Sequence, residues 1–273
     1  MELPKDPIAE AMYEAASRYE RGPKRHYLGM SEIGHPCLRR LWYSFRGFTP
    51  SVPEGRLKMI YSLGDCVEEE VVKWLTMGGY QVSDRQRAFA EINGFFCGHW
   101  DGRIEGVTSK PHVLEIKSAS AARFKAFQET GIRNVSEQYF AQVQCYMGYS
   151  GLERALFVIM NKNTCELYTE RVHFDKDYFA ATEEKARQVM SAVLPPEKVK
   201  SEAVCQWCPY HERCASNSPY IQAEKTCGVC WYVQPGDNCT MHCTHPDHPV
   251  QITKWGKSCP GWEYLDKMDR VPF

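Results

Sequence analysis

Residues 95–118 read FFCGHWDGRIEGVTSKPHVLEIKS. Asn93-Gly94 stands just ahead of them and is a strong hairpin signal. It predicts two strands, over 80–91 and 95–105, with Asp101 at the centre of the second, and a short third strand over 112–118. Side chains alternate along a strand, so Glu115 and Lys117 share one face and Leu114 and Ile116 the other. An E-x-K pair alone usually amounts to an ion pair on a solvated sheet face. Here the run Gly98-His99-Trp100-Asp101-Gly102 puts a second carboxylate on the adjacent strand. Two carboxylates so held suit a hard divalent ion that keeps open water positions, as Mg2+ does. The lysine can then orient or deprotonate an attacking water and offset phosphate charge.

The flanking sequence supplies layers for this sheet. Helices are expected over 37–47, 136–149 and 175–193, and strands over 154–160 and 165–173 around Asn161-Lys162-Asn163. A further helix over 62–77 has Ser62 as its N-cap, Leu63, Val67, Val71 and Trp74 on one face, and Gly78-Gly79 as its stop. This order predicts an α/β core with a mixed sheet. Residues 1–30 read as an amphipathic helical extension, with Ile8, Met12, Ala15, Ala16 and Tyr19 on one stripe.

Composition narrows the function classes. The 273 residues are 43% hydrophobic and 25% charged, which is ordinary for a globular chain. No window approaches the length of apolar chain that crosses a bilayer, and the charged N-terminus lacks the apolar stretch of a secretory signal, so a cytoplasmic location is expected. With 33 basic against 34 acidic residues, a highly basic nucleic-acid coat is excluded. A local basic groove is not.

Asp101 followed by Glu115-Ile116-Lys117 resembles the core of the PD-(D/E)XK nucleases, in their RecB-like and phage-exonuclease branch. Gly64-x-x-x-Glu68 is similar to the family's first motif, where many RecB-like members carry His and the lambda-exonuclease-like members carry Glu. Gln142-x-x-x-Tyr146 is similar to the QxxxY motif of that branch, one helix face presenting both side chains. The resemblance covers residues 31 to about 215 and implies a restriction-endonuclease-like fold, a central mixed sheet flanked by helices. It implies that Glu68, Asp101 and Glu115 bind Mg2+ or Mn2+ with the Ile116 carbonyl, that Lys117 assists the attacking water, and that Gln142 and Tyr146 position substrate or the lysine.

Thirteen cysteines is a high count, and eight of them follow residue 204. Clustered cysteine in a chain without a secretory signal reads as metal ligation before disulfides. Cys205-x-x-Cys208-x5-Cys214 offers three ligands, and Cys37 is the leading candidate for a fourth. One upstream cysteine with that downstream triplet resembles the iron–sulfur nucleases, AddB and the CRISPR-associated RecB-like exonucleases, and implies a 4Fe–4S cluster that ties the two ends of the nuclease domain together. Tetrahedral Zn2+ is the rival, and His211 in place of one cysteine a third option. Further on, Cys227, Cys230, Cys243 and Cys259 read as a zinc-ribbon-like set, with Cys239, His242 or His245 as substitutes. Trp231, Tyr232, Trp255 and Trp262 read as a miniature core for this module rather than as base-stacking groups. The expected division is an extension over 1–30, the nuclease domain over 31–220 and a small metal-stabilised C-terminal module over 221–273.

Local basic groups offer phosphate contacts: Lys24 and Arg25, Arg39 and Arg40, Arg46, Arg56 and Lys58, Arg85 and Arg87, Arg123 and Lys125. Trp42, Tyr43 and Phe45 beside them read as helix core. The expected function is a metal-dependent DNA exonuclease of phage-type recombination or DNA end processing, working beside a single-strand annealing protein or other recombination protein, with no membrane partner. A CRISPR-associated spacer-processing nuclease and a non-catalytic DNA-binding scaffold are the alternatives.

Overall fold

A computed structural model describes residues 6–19, 25, 27–51, 54–216, 225–247, 249–263 and 265. Helix α1 spans Pro7–Arg18, strand β1 Leu28–Gly29, α2 Leu38–Arg46 and α3 Gly55–Met77. Four short strands follow, β2 Gln81–Ser83, β3 Ala88–Glu91, β4 Phe96–His99 and β5 Gly102–Glu105. The centre is β6 His112–Ala119, α4 Ala121–Val135, α5 Glu137–Ser150, β7 Arg154–Asn161, β8 Leu167–His173 and α6 Lys176–Ser191. The C-terminal part holds α7 Glu202–Cys205, α8 His211–Ser216, β9 Val233–Pro235, β10 Met241–Cys243 and β11 Val250–Ile252.

The main sheet has five strands in the order β2-β5-β6-β7-β8. Only β6 and β7 run parallel, as strands joined by a helical crossover must, and the remaining pairs are antiparallel. The sheet is therefore mixed and flanked by helices, as expected. On one face Val67, Val71 and Val72 of α3 pack on Ile104, Leu114, Ile116, Leu156 and Val158. On the other, α4 and α5 bury Phe124, Phe127, Phe140 and Val143 against Val113, Phe157 and Ile159. A second sheet, β1-β4-β3, carries the hairpin, and a third, β11-β10-β9, lies in the C-terminal part.

Several expectations change. The Asn93-Gly94 hairpin forms between β3 and β4, with Ile92, Asn93 and Gly94 at φ 46°, 58° and 80°. Each long strand expected around it is broken in two, because β2 and β5 join the main sheet while β3 and β4 join the small one. Asp101 accordingly lies in the break between β4 and β5, not at a strand centre. Helix α3 starts seven residues earlier than expected, at Gly55, so Ser62 is interior and its hydroxyl donates to the Lys58 carbonyl instead of capping. Leu63 and Trp74, placed on the buried face with Val67 and Val71, are exposed. Helix α4 has no counterpart in the sequence reading; it is bent at Gly131, whose φ is 75°. Helix α1 stops at Arg18, and Ile8, Met12 and Tyr19 of its expected apolar stripe face solvent. It rests on α3 through backbone, since a methyl on Gly55 would meet the Tyr13 carbonyl. Lys24 lies outside the described residues.

Among the described residues, the C-terminal part has no private core. Val229, Val233, Met241, Ile252 and Trp255 belong to the same buried cluster as Trp42, Phe45 and Phe95. Trp255 packs on Phe45 and Phe95, with ring centroids 5.3 and 4.8 Å away, and its Nε1 donates to the Phe45 carbonyl. Arg46, expected among the DNA-facing cations, is instead 1% exposed; it donates to the Val233 carbonyl at 3.1 Å and lies over the Trp42 and Trp255 rings. Among the described residues no helix is long and apolar enough to cross a membrane.

Candidate active site

The β5–β6 ladder pairs Gly102 with Leu114, which brings Asp101, one residue before β5, beside Glu115. Asp101 Oδ2 accepts a hydrogen bond from the Ile116 amide at 2.6 Å. Ile116 thus meets the site through its N–H, with its side chain under α3. Glu115 is fully buried; Oε1 accepts from the Lys117 ammonium, while Oε2 has no hydrogen-bond partner among the described residues. Burial first, then the field of Glu115, pushes the Asp101 carboxyl well above the ordinary carboxylate range. Burial likewise raises Glu115, against the opposing pull of Lys117. Burial alone would lower the Lys117 amine, but the charges of Glu115 and Asp101 outweigh it and hold the group as an ammonium.

Glu68 approaches from α3. Its charge adds to the upward push on both Asp101 and Glu115, and its own carboxylate accepts from Gln86 and Arg85. Gln142 Nε2 donates to the Tyr146 hydroxyl at 3.1 Å, and that hydroxyl donates to the His99 carbonyl at 2.7 Å. The pair therefore braces the end of β4, two residues before Asp101. The group over Lys117 is Tyr139, with the ammonium 5.2 Å from its ring centroid and the Arg123 guanidinium at 5.2 Å from the same ring. Sequence reasoning missed Tyr139. Its spacing of three before Gln142 and seven before Tyr146, one stripe of α5, was the available signal.

Cys37, at the N-cap of α2, meets Cys205, Cys208 and Cys214 around one cavity of about 220 Å3, which His211 and Arg40 also line. Burial raises the Cys208 thiol, and Cys37 and Cys214 lie near enough to add to that. In the C-terminal part burial raises Cys227 and Cys230, with Cys243 and Cys259 both contributing. Cys239 is turned away from them: its Sγ lies 3.4 Å from Ser191 Oγ and donates to the Arg187 carbonyl of α6. His242 Nε2 pairs with Thr240 Oγ1, and the His245 ring packs edge-on against Tyr232. Among the described residues, no group of three or more His, Cys, Asp and Glu side chains is disposed to hold a metal ion as it stands.

Fold and site together define a mixed-sheet α/β protein with a buried carboxylate pair and a lysine on its central parallel strand. Residues 68–153 match the family model of the YqaJ-like viral recombinase domain. That stretch opens on Glu68 and contains Asp101, Glu115, Lys117, Gln142 and Tyr146. Among curated proteins none matches. Solved structures similar to the chain include the protein SSO0001, 14% identical, TM-score 0.48, covering 80% of this chain and 99% of that one. The alkaline exonuclease LHK-Exo from Laribacter hongkongensis, solved also in complex with dAMP, is 14% identical at TM-score 0.46 and covers 76% of this chain and 98% of its own.

Proposed function

We propose that this chain is a phage-type, metal-dependent DNA exonuclease of the cytoplasm that hydrolyses phosphodiester bonds. The observation that carries the reading is the buried Glu115 carboxylate, whose Oε2 has no hydrogen-bond partner among the described residues, beside Asp101 and the Lys117 ammonium. An uncompensated buried carboxylate oxygen is costly unless a cation completes it. The family match to a viral recombinase domain over the same residues supports it.

Asp101, Glu115 and Glu68 would hold Mg2+ or Mn2+. When bound, such an ion neutralises phosphate charge and makes water a competent nucleophile near neutral pH. Lys117 stays protonated between two carboxylates, so it donates hydrogen bonds, orienting the attacking water and countering phosphate charge rather than taking the proton. Gln142 and Tyr146 act through the backbone, fixing His99 and hence Asp101.

The thiols fit a cofactor by their chemistry: four from two distant segments line one cavity. Cys37, Cys205, Cys208 and Cys214 would hold a 4Fe–4S cluster, with zinc as the rival. Such a group supplies a cross-link between α2 and the α7–α8 region. Cys227, Cys230, Cys243 and Cys259 would hold Zn2+, Cys239 being committed to α6. DNA is the substrate, and a single-strand annealing protein is the expected partner.

End-labelled duplex DNA incubated with and without Mn2+ tests the enzyme. Ladder-like shortening that needs the metal, and is lost in Asp101→Asn and Lys117→Met, is expected. Metal-independent cleavage, or full activity in Asp101→Asn, would overturn the reading. Anaerobic metal analysis tests the thiol sites, expected at roughly four iron and one zinc per chain.

A further inference from the structure

Glu68 is carried by α3, but its carboxylate is gripped from the turn between β2 and β3. Gln86 Nε2 donates to Glu68 Oε1 at 2.7 Å, and Arg85 Nη2 donates to the same oxygen at 3.3 Å. An ionised carboxylate only accepts, so the Gln86 amide must present its NH2. Oε2 of Glu68 receives no donor from the described residues. Arg85 is shared, since it also pairs with Glu69, whereas among the described residues the Gln86 amide serves Glu68 alone.

The turn is held in an uncommon shape. Asp84 and Gln86 sit at φ 49° and 55°, in the left-handed region that residues with a Cβ rarely adopt. The Trp100 indole donates to the Asp84 carbonyl at 2.7 Å. Ser83 pairs with Arg103, and Gly102 lies so close that a methyl there would stand 3.2 Å from the Ser83 carbonyl. Trp100 and Gly102 are the two chain neighbours of Asp101. One segment therefore fixes Asp101 directly and fixes Glu68 through the turn. Backbone strain of this kind collects where the surroundings over-determine it, commonly at functional sites.

We propose that Gln86 is a positioning residue of the carboxylate site, its amide locking one oxygen of Glu68 and leaving the other for a divalent ion. The proposal rests on the reading of Glu68, Asp101 and Glu115 as a cation site. The groups that orient a ligating carboxylate commonly set metal affinity as strongly as a ligand does, by about 10–100-fold.

The test is a Mn2+ titration of the full chain without DNA, following the signal of free Mn2+ by electron paramagnetic resonance. Gln86→Leu and Gln86→Gly are expected to bind Mn2+ about tenfold more weakly or worse. Glycine also relaxes the left-handed position, so Gln86→Gly is expected to melt at the wild-type temperature or above while binding less metal. A residue that merely held the fold would lose stability instead. Wild-type Mn2+ affinity in either variant overturns the proposal. Asp101→Asn separates it from the reading beneath: undiminished binding in Asp101→Asn sinks the cation site itself, whereas binding lost there and kept in Gln86→Gly sinks only the role of Gln86.

Discussion

Asp101 shows at the scale of one residue how a carboxylate proposed as a metal ligand weighs on the fold. Burial and the neighbouring Glu115 both oppose its charge. A neutral amide of the same shape can still accept from the Ile116 amide. Asp101→Asn is therefore expected to raise the stability of the metal-free protein at pH 8 by about 1 kcal/mol, as relief of a strained functional site commonly does. That corresponds to roughly 2–4 °C in melting temperature for a chain of this size. A calorimetric melt of both proteins checks it, and a lower melting temperature in the variant contradicts the account. His112, fully buried on β6, behaves differently with pH. Burial first, then Arg154, Arg171 and His173, hold its pKa below 6.5, with the Lys110 carbonyl opposing. The unfolded chain takes up the proton at higher pH. The stability His112 contributes is thus complete above about pH 6.5 and is lost as pH falls toward the folded value. Urea midpoints at pH 7 and pH 5 should converge between wild type and His112→Gln on acidification.

At the scale of elements, the approach of α5 to β4 depends on the missing side chain of Gly98. A methyl there would stand 2.8 Å from Tyr146 Cε1 and 2.9 Å from Met30 Sδ. Gly98→Ala is expected to destabilise by about 1–3 kcal/mol, the range for an overfilled core. Because Tyr146 braces the His99 carbonyl, cleavage should fall with stability; equilibrium urea unfolding and a DNA digestion measured together check both. This element scale also shows what was legible. Strand β6 was readable because alternation in Leu114-Glu115-Ile116-Lys117 is a local signal, and so was the hairpin, whose turn chemistry is local too. The break at Trp100-Asp101 was not, since it arises when β5 leaves one sheet for another, a tertiary event. Helix α4 was missed where Gly131 interrupts its pattern. Glu68, Asp101, Glu115 and Lys117 could be picked out by motif, and Tyr139 had a signal in its place on the stripe of α5 that carries Gln142 and Tyr146, but the contact of Gln86 with Glu68 arises only in the folded chain.

At the scale of the whole molecule, the C-terminal part completes the core instead of standing apart. Gly228 lies against the Arg46 carbonyl and the Trp255 ring, too close for a Cβ. Trp255→Ala removes a ring packed at a tilt against Phe45 of α2 and Phe95 of the hairpin, and a buried tryptophan truncated to alanine costs about 3–5 kcal/mol. Its loss should lower the one cooperative unfolding transition followed by circular dichroism; an early separate transition that leaves the main one in place would show two independent units. The sequence made the C-terminal part look autonomous because its cysteines crowd together, while the apolar residues that anchor it are shared with partners some 200 positions upstream.

That separation has a consequence during synthesis. The Trp255 indole reaches back 210 residues to Phe45. A ribosome adding about 5–20 residues per second takes roughly 10–40 s to cover that distance. Through that interval Phe45 and Trp42 wait with part of their cover still unmade. The nascent polypeptide therefore offers an apolar helix to chaperones until residue 255 has left the ribosome and can pack on Phe45.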